Sequence, residues 1–594
     1  MKKLLLLLLI PFITLAQIEL GVNLVNDGAF VNIVNQTNRY NNATGFDDNG
    51  WPTSDFSLVV MDGRPVAEWS GSIDDPEKYR IDYSGIYKGS FEGEAELSVS
   101  GTAVSLQNIE SNASENITYF EIVVGGYPDA NHGLVFLNFA KTKRSTKSME
   151  NSGIRNLKIM RPGYELNTEK IFTDEYITLC KTANFSCYRF YNVQNIWNGE
   201  PSYPYKSDWD KRKSPYDACQ LDMTNLNGKK DGWCWEYIVE LSNILDKDIW
   251  INIHMSCDSN YVAELGKFLR DNLNENINIY VENSNEVWSP TQLTHGPYNK
   301  AEADYYGISF DQNYARRTVE VSNWFDNIFG KNEINKKIRV ILAGQHAYNG
   351  RSDIHLNYIN DTFGPPKNYI YATSTALYFN TSNPNSDDLD EINEGMFEEI
   401  NTQKDDNSSN LYRLNHINKA KDWDLVGGCT SYEGGPHVPA GGSLENLGNL
   451  INSHRTEKMG DVLKYNYIEA WSEIGGGLAM HFTLSSAYTR YGCWGLTDDY
   501  SKPDRNFKMQ AIRDLLDTQF DVEKNEESYI IYPNPSQDYL YFNSEINSEI
   551  IIYDMFGNVV IKDFITNNKI NISDLNNNIY LIKINNNIYK FIKI

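Results

Sequence analysis

The stretch INIYVENSNEVW, residues 277–288, joins the pattern of a buried strand to a group of polar side chains at its end. Ile277, Ile279 and Val281 recur at the two-residue spacing of a β-strand. Glu286 lies beyond the last regular alternation. The pattern therefore predicts a strand that carries a carboxylate at its C-terminal end, outside the packed wall of a sheet.

Strand-like and helix-like segments alternate around this stretch, over residues 151–520. TDEYITLCKTAN and EYIVELSNILDK have helical periodicity. The strand-like segments are NLKIMRP (156–162), CYRFYN (187–192), IWINIHM (249–255), INIYVENSNE (277–286), RVILAGQ (339–345), YIYATST (369–375), DLVGGCTSYE (424–433) and GGLAMHF (476–482). Eight strand–helix units in one segment predict a (β/α)8 TIM barrel, with INIYVENSNE as its fourth strand.

The region before the barrel, residues 17–150, has a different pattern. Short alternating runs such as FSLVVM, ITYFEIVVGG and LVFLNFA are separated by Gly, Asn, Asp and Pro. Regular short strands without helical periodicity predict a β-sandwich. Its Trp51 and Trp69 are either a sugar-stacking platform or, as is commoner for isolated tryptophans, part of the sandwich core.

The overall charge excludes two classes of partner. The chain has 594 residues, a formal net charge of −26 and a sequence pI near 4.8. Binding to a nucleic-acid backbone or to anionic lipid needs a basic face. We therefore expect no nucleic-acid partner and no adhesion to an acidic membrane.

The N-terminus has the pattern of an export signal. Lys2 and Lys3 precede an apolar run and small residues near Ala16, so residues 1–16 are predicted to be a signal peptide. The alternative is a buried N-terminal helix or strand. No later segment has the ~18 uninterrupted apolar residues of a transmembrane helix.

Seven cysteines in an exported chain raise the question of disulfides. Cys219 and Cys234 flank a Gly/Lys/Asp turn and are the best candidate pair, whereas the other five lie in apolar patterns typical of core residues. No CxxC or HExxH spacing suggests a metal site, so the sequence predicts neither a metal nor a cofactor.

Two carboxylates occupy equivalent places in the predicted barrel. Glu286 follows the fourth strand, and Glu433 follows the seventh, ahead of two glycines. A closed barrel would bring both to its C-terminal face, where reactive groups collect. Such a pair suits glycoside hydrolysis, in which one carboxyl donates a proton and the other stays ionised, about 5 to 5.5 Å away in retaining enzymes.

The pair Asn285-Glu286 after strand four and Glu433 after strand seven resembles the pattern of clan A glycoside hydrolases, a group of retaining (β/α)8 enzymes. The resemblance implies that Glu286 is the acid/base, Glu433 the nucleophile and Asn285 a contact for the sugar 2-hydroxyl. Arg189, at the end of strand two, matches the clan arginine that steadies the nucleophile. Its cation would lower the pKa of Glu433.

The same resemblance implies further substrate-binding residues. His254 ends strand three and matches a frequent subsite histidine, although a structural role is equally expected. Tyr378 follows strand six, where many members have a hydrogen-bond partner for the nucleophile. Trp494 follows strand eight, where the clan often stacks an aromatic ring on the sugar. VENSNEVW and YEGG are also similar to a group of secreted, cellulose-binding or glycosidase-like bacterial proteins.

The tail is a separate block rich in Ile, Asn and Tyr. A linker is expected at 521–528, followed by YPNPSQDYLYF, IIYDMFGNVV and the basic-apolar ending KFIKI. Residues 529–594 resemble the C-terminal sorting domain of the type IX secretion system, itself a small β-sandwich. The resemblance implies a partner, the type IX secretion machinery, and a secreted or outer-membrane surface location. The alternative is an accessory β-sandwich.

Two insertions would cover the predicted cleft. Residues 194–233 carry Trp197, Tyr203, Tyr205 and Trp209, which suit contact with a sugar face. Residues 378–406 are strongly acidic, and a solvated loop is a simpler interpretation than a surface that repels polyanions.

The sequence leaves three functions open. The leading hypothesis is a retaining glycoside hydrolase that acts on a polysaccharide or its oligosaccharides. The second is a non-catalytic carbohydrate-binding protein on the same scaffold. The third is a polysaccharide lyase, which needs a base beside a uronate and a basic cleft.

Overall fold

The protein is described from a computed structural model, which covers residues 18–62, 81–126, 134–196, 202–223, 232–288, 295–407, 412–439, 445–524, 531–542, 548–554, 558–565, 568–584 and 587–594. The chain divides into two compact units, the first ending at Arg513 and the second running from Asp514 to Ile594. The predicted signal peptide at 1–16, Trp69 and Trp197 lie outside the described residues.

The first unit contains a closed barrel of parallel strands, which confirms the predicted barrel fold. We number its strands one to eight in chain order: Leu20–Asn23, Cys187–Arg189, Asp248–Ile253, Ile279–Asn283, Ile338–Ala343, Ala372–Phe379, Cys429–Pro436 and Ala479–His481. Strand one pairs with both strand two and strand eight, and this pairing closes the ring.

Helices surround the barrel and connect its strands. The α-helices are Asp174–Cys180, Trp235–Leu245, Ser259–Asn272, His295–Tyr306, Phe310–Phe329, Gly350–Phe363, Leu389–Asp405, Arg413–Asp422, Leu447–Ser453, Glu457–Tyr467 and Phe507–Lys524. A π-helical turn covers Ile468–Ser472, and single 3-10 turns cover Ile33–Gln36, Trp209–Lys211, Lys331–Glu333, Pro366–Asn368 and Pro503–Arg505. The last α-helix extends into the predicted linker at 521–528.

The predicted first barrel strand is wrong. Arg155–Met160, from the segment NLKIMRP, pairs antiparallel with Gly85–Glu92 in a separate sheet. Its Leu157 and Ile159 are buried while Lys158 is exposed, as expected for a strand with one face in water. The true first strand, Leu20–Asn23, is buried at all four positions and is too short to show a period. The barrel therefore begins before the sandwich in the chain.

The predicted β-sandwich lies between strands one and two, and its described strands form two four-stranded antiparallel sheets. One sheet has the order Tyr40–Asn41, Phe56–Asp62, Leu134–Lys143 and Glu94–Ser100. The other has the order Val104–Asn112, Ile117–Val124, Gly85–Glu92 and Arg155–Met160. Phe91 and Phe139, one from each sheet, are in edge contact with ring centroids 5.5 Å apart. Trp51 is buried in this core, so its core interpretation holds.

Part of the insertion after strand two packs against the sandwich. Ala218, Cys219 and Met223 belong to the hydrophobic core of the sandwich. Trp209 packs in edge contact with Tyr261 on the helix that follows strand three, with ring centroids 5.3 Å apart. Ala218, Cys219, Met223 and Trp209 therefore pack against the sandwich and an outer helix. The sequence predicted instead that this insertion covers the cleft.

Two further predictions need correction. Cys219 and Cys234 are both buried free thiols, so the predicted disulfide between them is wrong. The acidic insertion at 378–406 is largely helical, because Ile392, Met396 and Ile400 recur at four-residue spacing and bury one face of Leu389–Asp405. The exposed faces of that helix carry the acidic residues.

The interior of the barrel is filled with large side chains below its C-terminal mouth. The rings of Trp250 and Tyr280 stack with centroids 5.6 Å apart and planes within 9°. Gly21 on strand one faces this packing, and a Cβ there would lie 2.5 Å from both the Cys187 carbonyl oxygen and the Met480 sulfur. This packed layer is the floor on which the polar residues of the mouth lie.

The second unit is made of two antiparallel sheets. One contains Ile531–Tyr532, Tyr539–Phe542 and Lys569–Asn571, and the other Val559–Ile565, Ser548–Tyr553, Ile579–Ile584 and Asn587–Ile592. One hydrophobic cluster includes Leu540 and Phe542 from the first sheet and Ile582 and Phe591 from the second. Asn534 ties the first sheet region to the last strand, since its amide bonds the Lys590 carbonyl at 3.0 Å and the Ile592 N–H at 2.9 Å.

Candidate active site

Arg189 is the centre of a buried polar network at the mouth of the barrel. It ends strand two and is fully buried. Its Nη1 donates to Asn23 Oδ1 at 3.0 Å and to Glu433 Oε1 at 2.9 Å, and its Nη2 donates to Glu282 Oε2 at 2.8 Å and to Asn285 Oδ1 at 2.7 Å. The guanidinium therefore joins strands one, two, four and seven.

A third acid, Glu282, lies beneath the site and was not identified from the sequence. It is fully buried on strand four, and its Oε2 accepts hydrogen bonds from Arg189, from Trp250 Nε1 at 2.9 Å and from Asn252 Nδ2 at 3.0 Å. The signal was present in YVEN, where a glutamate interrupts the strand before Glu286. A carboxylate at an inward position of an apolar strand needs a buried cation, and Arg189 is that cation.

Asn23 was also missed, because its strand was not recognised. Its Nδ2 donates to the carbonyls of Tyr432 and His481, each at 3.2 Å, while its Oδ1 accepts from Arg189. Asn23 thus links strand one to strands seven and eight. His481 itself is buried in strand eight between Tyr467 and the Trp494 carbonyl, so it belongs to the wall rather than to the mouth.

Glu433 is held at both carboxylate oxygens. Arg189 bonds Oε1, and the Tyr378 hydroxyl donates to Oε2 at 2.8 Å. The side chain is 7% exposed. Burial raises the pKa of Glu433, and the charge of Arg189 and the hydrogen bonds from Tyr378 and Arg189 act against that rise. The carboxylate is therefore fixed in one orientation by a cation and a phenol.

Glu286 has a different environment. It follows strand four with a backbone φ of +47°, after Ser284 at +62°, so the chain turns sharply where the side chain leaves the strand. The half-buried side chain accepts one hydrogen bond, from the Tyr432 hydroxyl to Oε1 at 3.2 Å. Burial, and next the charge of Glu433, raise the pKa of Glu286 to about 7.

The two carboxyls therefore differ in how readily they hold a proton. They lie close enough for the charge of Glu433 to act on Glu286. Arg189 contacts Glu433 directly at 2.9 Å, whereas the hydrogen bond to Glu286 comes from the uncharged Tyr432. When the pair carries a single proton, these contacts favour Glu286 as its holder.

Partly exposed aromatic rings border the carboxylates. The Tyr378 ring lies 5.6 Å from the His437 ring and 6.2 Å from the Phe482 ring, measured between centroids. Phe482 in turn meets the half-buried Trp494 at 5.8 Å in an edge contact. Trp494 thus lies at the strand-eight side of the rim. Such rings suit the apolar face of a sugar.

The structure brings together most of the predicted site residues. Arg189, Asn285, Tyr378 and Glu433 share direct hydrogen bonds. His254 lies half-buried just after strand three, and its carbonyl accepts a hydrogen bond from the Cys257 N–H at 3.0 Å. Among the residues that the structure describes, no group of three or more His, Cys, Asp or Glu side chains could hold a metal ion.

Comparison with known proteins identifies the tail. Residues 530–594 match the family described as the secretion system C-terminal sorting domain. The tail is a secretion sorting domain. This match confirms the resemblance to type IX cargo, and it assigns the protein to secretion with attachment at the cell surface. Within the described part of the chain, no helix is long and apolar enough to cross a membrane.

Parts of the chain match solved glycoside hydrolase structures at low identity. A family 10 xylanase from Thermobacillus composti has 10% identity and a TM-score of 0.30, covering 57% of this chain and 92% of that one. A family 51 α-L-arabinofuranosidase from Bifidobacterium longum has 13% identity and a TM-score of 0.29, covering 46% and 52%. Fungal β-1,4-galactanases have 11% identity and a TM-score of 0.27, covering 52% and 80%.

The barrel itself is defined by the pairing of its own eight strands. Among curated proteins, none matches the chain in sequence.

Proposed function

We propose that the protein is a retaining glycoside hydrolase that cleaves an extracellular polysaccharide or its oligosaccharides. The observation that carries the proposal is the difference between two interacting carboxyls at the barrel mouth. Glu433 is fixed by Arg189 and Tyr378, while the pKa of Glu286 is raised to about 7 by burial and by Glu433. Double displacement requires two carboxyls with different pKa values, one that donates a proton and one that attacks as a carboxylate.

In the first step, the Glu433 carboxylate attacks the anomeric carbon and the glycosidic C–O bond breaks. Glu286 gives its proton to the leaving oxygen, and a covalent glycosyl ester of Glu433 forms. In the second step, Glu286, now ionised, removes a proton from water. The water oxygen attacks the anomeric carbon, the ester bond breaks, and the Glu433 carboxylate is restored.

The neighbouring residues support these roles. Arg189 and Tyr378 orient Glu433 and oppose the rise in its pKa that burial causes. Asn285 accepts a bond from Arg189 through Oδ1, so its Nδ2 is the group that can donate to a sugar hydroxyl. The lyase alternative lacks comparable support, because Arg189, the cation at the centre of the described part of the site, is already bound by Glu282 and Glu433.

The acid role of Glu286 predicts a specific pH profile. An acid with a pKa of about 7 is protonated below that pH and loses its proton above it, so kcat/KM is expected to fall as the pH rises past about 7. Glu286→Gln is expected to abolish this alkaline limb and to lower turnover of unactivated oligosaccharides about 10²- to 10⁴-fold.

The measurement is kcat/KM against pH for the wild type and the variant, with Glu264→Gln on an outer helix as the matched control. Nitrophenyl glycosides, whose leaving group needs little protonation, should show a smaller loss in their first step. If the fall in kcat/KM at high pH persists unchanged in Glu286→Gln, the titrating group is not Glu286.

A further inference from the structure

A cavity of about 350 Å³ lies between the sandwich and the rim of the barrel. Asp27 and Gly28, which follow strand one, form one side. Residues 485–487, with Asp498 and Tyr500, follow strand eight and form another side, and the sandwich closes the third. Its described lining includes neither Glu286 nor Glu433. The volume falls within the ~300–1,000 Å³ range of small-molecule sites.

Hydrogen-bonding groups of both kinds face this cavity. The Asp27 side chain is exposed to it, and the charge of Arg161 acts on Asp27. Arg161 is held in place because Nε donates to the Phe30 carbonyl at 2.9 Å and Nη2 donates to Gln36 Oε1 at 2.7 Å. The cavity is therefore lined by the carboxylate of Asp27, the guanidinium of Arg161 and the amide of Gln36.

Both carboxylates of the lining have cations acting on them. The charge of Arg161 acts on Asp27, and Asp498 is bound from outside the lining by Arg455 at 2.8 Å and by Arg505 at 2.9 Å. A charged ligand would meet an ion of its own sign in this lining and gain little net attraction. A neutral molecule with many hydroxyls can donate to Asp27 and accept from Arg161 at once.

Tyrosine rings form the apolar part of the cavity. Tyr83 and Tyr500 are half-buried, and Tyr87 lies behind them with its hydroxyl bonded to the Tyr83 carbonyl at 2.9 Å. Tyr500 is packed directly on Gly28, where a Cβ would lie 2.5 Å from the ring. Rings held in this way can contact the C–H face of a sugar without being ordered by it.

From these features we infer that the cavity is a second, non-catalytic binding site for a neutral sugar unit. The ligand class is a neutral hexose or pentose, as a free sugar or as a residue of a glycan chain. Two sides of the site are formed by segments that follow strands one and eight, at the same C-terminal face of the barrel as the two carboxylates. Binding at this site does not depend on hydrolysis.

The test measures binding of six probes to the full chain by titration calorimetry and saturation-transfer NMR. The neutral probes are glucose, galactose, xylose and arabinose, and the charged probes are glucuronate and glucosamine. All are titrated into the wild type and into Glu433→Ala, in which turnover is blocked. The cavity variants are Asp27→Asn and Tyr83→Ala, each added to both backgrounds, with thermal melting as the folding control.

At least one neutral probe is expected to bind the wild type and Glu433→Ala equally. Asp27→Asn is expected to weaken that binding about tenfold, since the sugar hydroxyl then donates to a neutral amide oxygen in place of a carboxylate. The inference is overturned if no neutral probe binds, if Asp27→Asn leaves all binding unchanged, or if a charged probe binds more tightly than every neutral one.

Asp27→Asn changes the size of an exposed side chain very little, so this variant is expected to fold. It tests the proposed sugar site even if Tyr83→Ala does not fold. Failure of the proposed hydrolysis would leave these titrations unaffected, because none of them requires turnover.

Discussion

Glu433→Ala is expected to lower turnover by about 10⁴-fold or more, the order seen when a covalent nucleophile is removed from an enzyme. Without the carboxylate, no glycosyl ester can form. The fold should persist, because Arg189 keeps its buried partner Glu282 at 2.8 Å. Release of reducing ends from oligosaccharides measures the loss, and thermal melting of the same samples checks the fold.

Azide supplies the decisive second measurement on this variant. Removing the Glu433 side chain leaves space on the face of the sugar from which the nucleophile would attack. Azide in that space is expected to attack the anomeric carbon in one displacement and to release a glycosyl azide of inverted configuration. NMR of the product determines the configuration. A wild type that binds an oligosaccharide for hours without producing reducing ends would instead favour the carbohydrate-binding alternative.

Arg189→Met is expected to produce the largest loss of stability. The variant leaves Glu282 and Glu433 buried without their cation, and breaking a buried pair from one side costs about 3–5 kcal/mol. Urea unfolding measures the change in the free energy of unfolding. Arg189→Met/Glu282→Gln is the matched control, and it should recover part of the loss because only one carboxylate then remains unpaired.

The loss in Arg189→Met should depend on pH. Buried carboxyls without a cation have folded-state pKa values above their unfolded values, so they favour folding less as the pH rises. The deficit relative to the wild type is therefore expected to be larger at pH 8 than at pH 5. A deficit that is the same at both values would mean that Glu282 and Glu433 do not depend on Arg189 for their charge.

The sequence predicted the strand-end residues of the candidate site but not the layer beneath them. Glu286 and Glu433 were recognisable because each comes at the end of a predicted apolar strand, and Arg189 because the resemblance to clan A glycoside hydrolases implies an arginine there. Glu282 was missed because a strand with one buried face tolerates alternate polar residues, and only the closed barrel shows that its side chain points inward. Asn23 was missed because four buried residues carry no period.

The cavity beside the barrel could not be predicted for a different reason. Its lining comes from the loop after strand one, from the sandwich and from the loop after strand eight. Asp27 and Tyr500 meet only because strand one pairs with strand eight, and that pairing is a property of the closed ring. The free cysteines likewise show that a turn between two thiols does not establish a bond between them.

The position of strand one has a consequence for how the molecule is made. During synthesis, Leu20–Asn23 leaves the ribosome long before either of its neighbours, Cys187–Arg189 and Ala479–His481. The eight described strands between Tyr40 and Met160 can pair with one another in that interval, while the short apolar strand ahead of them still lacks both of its partners. A polypeptide started at residue 151 would have an open sheet of seven strands with two bare edges, and it would lack Asn23, which fastens Arg189.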